Sequence, residues 1–236
     1  VIEVNPRSSR TIAFISKVTD VPMIDLAIKI MLGEKLKNLN YGTGLRKEKK
    51  LFAVKSPVFS MSKLSGVDTY LGPEMKSTGE VMGIDDNLPD AMKKAMIGAG
   101  MEINPKTNFL LSIADRDKED SVGFIKKLAA NGNKMYATEG TYNFIKSLGL
   151  ESTMVNKILS NSPTVLDIIN QGEVGAVLNT VTGNRSSMQD GYHIRRKATE
   201  LSIPCYTSID TAYATIVNNS TKSFKVGTVD DYLENY

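Results

Sequence analysis

The sequence predicts an α/β protein whose larger part is a doubly wound, five-stranded parallel sheet, preceded by a smaller α+β segment. From about residue 104 onward, short apolar runs alternate with stretches whose apolar residues recur at helical spacing. This alternation is typical of a parallel sheet covered by helices on both faces. Before that point the pattern is less regular, and the glycines and proline at 98–105 mark a boundary. We therefore predict two domains, 1–103 and 104–236.

The first domain is predicted to hold a few elements separated by polar, glycine-containing loops. Pro22 suits the first turn of a helix, Gly33 suits its end, and Asn87 followed by Pro89 suits the start of another helix. Pro57 interrupts an apolar run and indicates an edge strand. The predicted elements, in order, are a strand over 1–5, a helix over 20–33, strands over 52–59 and 80–84, and a helix from 87.

The second domain is predicted to alternate strictly between strands and helices. Its apolar runs predict strands over 108–113, 134–138, 151–158, 175–181 and 203–207. The periodic stretches between them predict helices over 118–130, 141–148, 165–169, 194–201 and 211–217, with a last capped turn over 230–235. In such sheets ligands bind at the carboxyl ends of the strands, where the strand order reverses. Function should therefore be sought in the loops that follow the strands.

Composition excludes several other classes of protein. The 236 residues carry a formal charge of +3, and no dense basic run is interleaved with aromatic residues, so we expect no nucleic-acid partner. Cys205 is the only cysteine and His193 the only histidine, which excludes a disulfide framework and a Cys/His zinc cluster. No apolar run approaches the roughly 20 residues of a membrane span. We expect a cytoplasmic protein, and we read the buried-looking Cys205 as a core residue.

The opening motif EVNPRSSRT places Glu3, Asn5 and Arg7 on one face of the predicted strand. Carboxylate and amide oxygens are ligands that Mg²⁺ prefers, and an arginine can bind phosphate. The motif resembles the metal-binding strand of ATP-grasp ligases. The stretch KLSGVDTYLGPEMKSTGEVMGI (63–84) resembles the end of the second ATP-grasp unit of the carbamoyl-phosphate synthase large chain, and the resemblance covers essentially the whole sequence.

This resemblance implies an ATP-dependent ligase that makes carbamoyl phosphate for pyrimidine and arginine biosynthesis. It implies that Glu3 and Asn5 bind Mg²⁺ or Mn²⁺, and that Arg7 and Arg10 lie beside the phosphates of ATP. The other parts of that active site are not found in the sequence, so we expect a fragment that is inactive alone and binds neither metal nor ATP. Its implied partners are the remainder of the large chain and the glutaminase small chain.

The second domain resembles the methylglyoxal-synthase-like allosteric domain of the same large chain, which implies the strand order 3-2-1-4-5. The loops after strands one, two and four would then converge, and they carry the chemistry of a phosphate site: a lysine, hydroxyls and a glycine at a helix start. The resemblance implies a nucleoside monophosphate effector, with UMP the first choice and IMP using the same phosphate site. The implied effector residues are Lys118, Thr138, Gly140, Thr141, Lys157, Asn179 and Thr180.

Two other interpretations stay open. The domain could be a structural module that mediates oligomer contacts without an effector, and homo-oligomerisation is left open in either case. It could also be an enzyme of the methylglyoxal synthase type, but that chemistry needs an aspartate as general base, and Ser162 stands at the matching position. Asp167 is expected on the surface. For His193, Arg195 and Arg196 we expect solvated basic residues on a helix beside a buried Ile194.

Overall fold

The computed structural model describes residues 2–64, 66–72, 74–181, 185–218 and 225–234, without the side chains of residues 185–189. The α-helices are α1 (Arg10–Thr19), α2 (Met23–Met31), α3 (Leu88–Gly98), α4 (Lys118–Asn131), α5 (Glu139–Ser147), α6 (Val165–Asn170), α7 (Arg185–Glu200), α8 (Ile209–Asn218) and α9 (Val229–Glu234). The strands are β1 (Phe52–Val58), β2 (Gly79–Asp85), β3 (Phe109–Ser112), β4 (Met135–Thr138), β5 (Thr153–Val155), β6 (Ala176–Asn179) and β7 (Cys205–Tyr206). No helix within these ranges is both long and apolar enough to span a membrane.

Strands β3 to β7 form a five-stranded parallel sheet in the order β5-β4-β3-β6-β7. Counted along the second domain, this order is 3-2-1-4-5, so the predicted fold class and topology are confirmed. The chain leaves β3 toward β4 on one side and returns to β6 on the other side. The reversal therefore places a crevice at the carboxyl ends of β3, β4 and β6.

Alternate residues of β3 point into two separate hydrophobic clusters, as the period of a strand requires. Phe109 and Leu111 lie in the cluster formed with α4, α5 and α8, where Phe109 and Phe124 make an edge-to-face contact. Leu110 lies in the other cluster, formed with α6 and α7. Because both faces of the sheet are covered by helices, its central strands are fully buried, which explains their continuous apolar runs.

In the first domain, β1 and β2 form an antiparallel pair that α3 covers. Asn87 caps α3 by accepting a hydrogen bond from the backbone N–H of Asp90 at 2.9 Å. Ala91 and Ala95 are fully buried against the pair. The strands predicted over 52–59 and 80–84, including the edge position of Pro57, are confirmed within one residue, and the helices predicted to start at 20 and 87 start at Met23 and Leu88.

Two features of the first domain differ from the prediction. Residues 2–6 are exposed and irregular, so the predicted strand over 1–5 is wrong for the part that the structure describes. Alternation alone does not make a strand: it must pair with a neighbour, and Pro6 interrupts the segment. Helix α1 was missed. Ser9 caps it by accepting a hydrogen bond from the N–H of Thr11 at 3.3 Å, and none of its residues is buried.

The two domains are joined by contacts other than the connecting chain. The hydroxyl of Tyr232 in α9 accepts a hydrogen bond from Lys94 of α3 at 2.6 Å, and Lys94 also pairs with Asp85 at 2.6 Å. Ile103, assigned to the first domain, is 4% exposed and packs in the same cluster as Phe109. The division at residues 103 and 104 stays a prediction.

Candidate functional site

The implied effector residues lie mostly around the carboxyl ends of β3, β4 and β6. Lys118 begins α4, just beyond the loop that follows β3. Thr138 ends β4 and is also the N-cap residue of α5. Asn179 ends β6, and Thr180 follows it. The crevice that the topology defines is therefore lined by the residue types that the sequence indicated for it.

Lys118 lies against the first turn of α5. A Cβ added to Gly140 would be 3.6 Å from the ammonium nitrogen of Lys118, so the helix backbone and the charge are close neighbours. Thr138 makes no side-chain capping hydrogen bond, so its hydroxyl does not satisfy the first N–H groups of α5. An ammonium group beside an uncapped helix N-terminus is suited to bind an anion.

The ammonium group of Lys118 is held by one carboxylate in this structure. Its nitrogen lies 2.7 Å from Oδ1 of Asp115, and the two side chains are 18% and 94% exposed, respectively. The hydrogen bond and the positive charge of Lys118 lower the pKa of Asp115 below its ordinary value. Because Asp115 is almost wholly in solvent, this ion pair is weak and can be exchanged for another anion at little cost.

Thr141 and Thr180 fix the loop that follows β3. The hydroxyl of Thr141 accepts a hydrogen bond from the N–H of Ile113 at 2.9 Å. The hydroxyl of Thr180 accepts from the N–H of Ala114 at 2.8 Å. Each hydroxyl oxygen is thus used as an acceptor, and the Thr141 hydroxyl also donates a long hydrogen bond of 3.5 Å to the carbonyl oxygen of Ile113. The Thr138 and Thr141 hydroxyl oxygens are 3.4 Å apart. Through the hydrogen bonds of Thr141 and Thr180, the start of α5 and the loop after β6 both contact the loop after β3.

Asn179 belongs to a buried polar network that the sequence did not indicate. Its carbonyl oxygen accepts a hydrogen bond from Arg195 at 2.6 Å, and Arg195 is 2% exposed. The guanidinium group also binds Asp68 of the first domain through two parallel hydrogen bonds of 2.9 and 2.6 Å. The expectation of solvated side chains is therefore wrong for Arg195, and also for Arg196, whose side chain is 11% exposed and donates to the carbonyl oxygen of Met61. His193 is exposed as expected.

The helix carried a signal for this network. Gly191, Ile194, Arg195 and Ala198 are all buried, at the spacing i, i+3, i+4 and i+7 of one helix face. A charged residue on such a face needs a partner and room. Gly191 provides the room: a Cβ there would lie 2.8 Å from the guanidinium group and 3.1 Å from Asn179 Oδ1.

Lys157 is placed apart from the other effector residues. It lies in the exposed turn after β5, one strand further out than β4. Its carbonyl oxygen accepts a hydrogen bond from the N–H of Ser160 at 3.1 Å, which shapes the turn. Only its long side chain could reach the crevice.

The implied ATP and metal residues occupy the irregular opening segment and α1. Asn5 donates a hydrogen bond to Glu3 at 3.0 Å, so the two side chains that would bind Mg²⁺ are adjacent. They fit part of the octahedral shell that Mg²⁺ demands, and no group of three or more His, Cys, Asp or Glu side chains that could hold a metal is found among the described residues. Arg7 is exposed, and Arg10 donates to Ser77 Oγ at 3.2 Å.

Asp167, the carboxylate nearest to the position of the absent general base, is fully engaged in local hydrogen bonds. It forms a capping box with Thr164 at the start of α6, and it accepts from the hydroxyl of Ser162 at 2.9 Å. Hydrogen bonds from the backbone and hydroxyl of Thr164, then from Ser162, lower the pKa of Asp167. A carboxylate stabilised in this way is a weak base for proton abstraction.

Cys205 lies in β7 against the cluster that contains Leu110. Burial raises the pKa of its thiol to about 12. We expect iodoacetamide at about pH 8 to alkylate the native chain roughly a hundred to a thousand times more slowly than the urea-unfolded chain, because the thiolate is the reacting form. Mass spectrometry over time measures both rates at this single cysteine. Equal rates would contradict a core position.

Comparison with known proteins agrees with this architecture. Residues 120–207 match the family model described as MGS-like domain, and residues 1–39 match the model described as carbamoyl-phosphate synthase L chain, ATP binding domain. The carbamoyl phosphate synthase large chain of Clostridium botulinum (strain Loch Maree / Type A3) is 48% identical over 226 residues, covering 95% of this chain and 21% of the relative. The large chain of Lachnoclostridium phytofermentans is 44% identical over 218 residues, covering 92% and 20%. A crystal structure of methylglyoxal synthase from Elizabethkingia anophelis NUHP1 aligns with a TM-score of 0.38 and 17% identity, over 56% of this chain and 93% of that one.

The parallel sheet and the matched family model identify an MGS-like domain that follows part of an ATP-binding domain. The chain belongs to the family of carbamoyl phosphate synthase large chains, and it corresponds to their C-terminal region. It spans about a fifth of the length of the curated relatives that it matches, at 20–21%.

Proposed function

We propose that the crevice at the carboxyl ends of β3, β4 and β6 is a regulatory site for a nucleoside monophosphate, with UMP the first choice. Through it, the MGS-like domain would control carbamoyl phosphate synthesis in an intact ATP-dependent ligase. Glu3 and Asn5 would there contribute to a Mg²⁺ or Mn²⁺ site, and Arg7 and Arg10 would approach the phosphates of ATP. The glutaminase small chain would be a partner of that intact enzyme.

The observation that carries the proposal is the position of Lys118 at the uncapped start of α5. A phosphate there would replace Asp115 as the partner of Lys118. It would also accept hydrogen bonds from the backbone N–H groups near Gly140 and from the hydroxyls of Thr138 and Thr141. Binding is favoured because Lys118 exchanges the single charge of the exposed Asp115 carboxylate for the double charge of the phosphate. Lys157, Asn179 and Thr180 would then lie toward the ribose and base.

We expect UMP to bind the chain and uridine not to bind measurably, because the site addresses the phosphate. Lys118→Ala should weaken UMP binding by about 1.5–3 kcal/mol, the value of a hydrogen bond to a charged group. Titration calorimetry with UMP, uridine and IMP on the unchanged chain and the variant measures these differences. Lys126→Ala is the matched control, since Lys126 is an exposed lysine of the same helix.

Two results would contradict this function. Equal affinities for UMP and uridine would show that the phosphate is not the recognised group. Conversion of dihydroxyacetone phosphate to methylglyoxal, abolished by a substitution near Ser162, would favour an enzyme instead. The local hydrogen bonds that lower the pKa of Asp167 support the regulatory function over that alternative.

A further inference from the structure

Arg195 connects the crevice to the first domain through a single side chain. Its guanidinium group is 2% exposed and bridges Asn179, at the end of β6, to Asp68, in the loop that precedes β2. The ring of Tyr70 lies 5.9 Å from the guanidinium carbon, on the same loop. No solvent competes for these hydrogen bonds at the Arg195 end, so their geometry is well defined.

The hydrogen bond from Arg195 fixes the orientation of the Asn179 carboxamide. The oxygen is held at 2.6 Å by a charged donor, whereas the amide nitrogen makes a long contact of 3.4 Å with the carbonyl oxygen of Ser112. A charge-assisted hydrogen bond is about twice as strong as a neutral one, so the oxygen stays on the Arg195 side. Asn179 therefore keeps its amide N–H groups on the side of Ser112, at the carboxyl end of β3, and cannot turn its carbonyl oxygen there without unpairing Arg195.

Asp68 is what holds Arg195 in this position. Burial alone would raise the pKa of Asp68, but the hydrogen bonds from Arg195 and from the N–H of Tyr70 outweigh burial and lower it. The carboxylate is 37% exposed and could leave toward solvent, whereas the guanidinium group has no such route. Gly191 leaves room for the guanidinium group in this position, because an added Cβ would lie 2.8 Å from it.

We propose that Arg195 is a positioning residue of the effector site, and that Asp68 in the first domain sets effector affinity by holding Arg195 against Asn179. This inference rests on the proposed function, because it assigns a determinant of affinity to the same crevice. The coupling is reciprocal. If the contact between Asp68 and Arg195 raises the affinity for the effector, bound effector must stabilise that contact by the same free energy.

The test is the affinity of the whole chain for UMP and for inorganic phosphate. Asp68→Ala should weaken UMP binding about tenfold, equal to about 1.4 kcal/mol, and leave the phosphate affinity unchanged, because phosphate contacts Lys118 and not Asn179. In an Asn179→Ala background, Asp68→Ala should have no further effect on UMP. Circular dichroism confirms that each variant is folded, and Asp68→Asn replaces Asp68→Ala if the latter is not.

The matched control is Arg196→Ala. Arg196 donates a hydrogen bond to the carbonyl oxygen of Met61 at 3.1 Å, so it joins α7 to the segment just before the Asp68 loop without touching Asn179. Its removal should leave UMP affinity within about twofold. The inference is overturned by equal UMP affinities of the unchanged chain and Asp68→Ala, by additive effects in the Asn179→Ala background, or by an equal loss in Arg196→Ala. Failure of the unchanged chain to bind UMP would instead reject the proposed function itself.

Discussion

Gly83→Ala is expected to lower the free energy of unfolding by about 3 kcal/mol or more, at the upper end of what overpacking costs. A Cβ at Gly83 would overlap the carbonyl oxygen of Ala91 and lie 2.5 Å from the amide nitrogen of Ala95. Both of these atoms belong to the backbone of α3, so no side chain can move aside. The whole helix would have to shift away from β2, which also separates Ala91 and Ala95 from the strand pair.

Urea unfolding followed by circular dichroism measures this loss. Gly79→Ala is the matched control, because Gly79 is in the same strand and an added Cβ would lie 3.5 Å from Val58 Cβ, an ordinary contact. The control should change stability by less than about 1 kcal/mol. Limited proteolysis adds a second measure, since α3 should be cut more rapidly only in Gly83→Ala. Equal stabilities of the two variants would mean that α3 packs on β2 less closely than the structure has it.

The alternation of strands and helices in the second domain could be predicted because burial there is strong and local. Strand β3 lies between the two hydrophobic clusters, so its sequence is a continuous apolar run. Gly132 and Gly149 end their helices with positive φ. Strand order, however, is a property of contacts distant in sequence. It came from the resemblance to a known family and not from the apolar pattern.

The first domain was harder to predict because its elements bury little surface. None of the residues of α1 is buried, and α2 buries only Leu26. Their apolar residues recur at helical spacing, but few of them are covered by other elements, so the spacing does not correspond to a buried face. The alternation of Glu3 and Asn5 did place the two side chains on one side, where they share a hydrogen bond, although the segment is not a strand.

The residue types of the candidate site could be predicted from the sequence, but their hydrogen bonds could not. Thr141 was chosen as a donor to a phosphate and Thr180 as a contact to the ribose or base, yet the oxygens of both hydroxyls first serve the backbone of the loop after β3. Such double use is not visible in a sequence, since it depends on where Ile113 and Ala114 point. Arg195 was misjudged for a related reason: its charge suggested solvent, while the helical spacing of its neighbours indicated burial.

Arg195→Ala is expected to destabilise the protein by about 3–5 kcal/mol, from the buried Asn179 that loses its hydrogen-bond partner and from the cavity that a buried side chain leaves. The change would remove the hydrogen bonds to Asp68 and Asn179 and leave a cavity beside Gly191. Asp68 can regain water because it is 37% exposed, so most of the loss comes from Asn179 and from the cavity.

The free energies of urea unfolding of Arg195→Ala and Arg196→Ala separate the effect of burying an arginine from the effect of its charge. The two neighbours carry the same side chain, and both bind the loop before β2, but the side chain of Arg196 is 11% exposed and pairs with Glu200, which is 45% exposed. Arg196→Ala should therefore cost about 1 kcal/mol or less for its ion pair, with a further loss of similar size for each of its hydrogen bonds to the carbonyl oxygens of Met61 and Leu64. If Arg195→Ala proves no more destabilising than Arg196→Ala, Arg195 is not the buried centre of the contact between the domains. Its assignment as the residue that positions Asn179 would then fail with it.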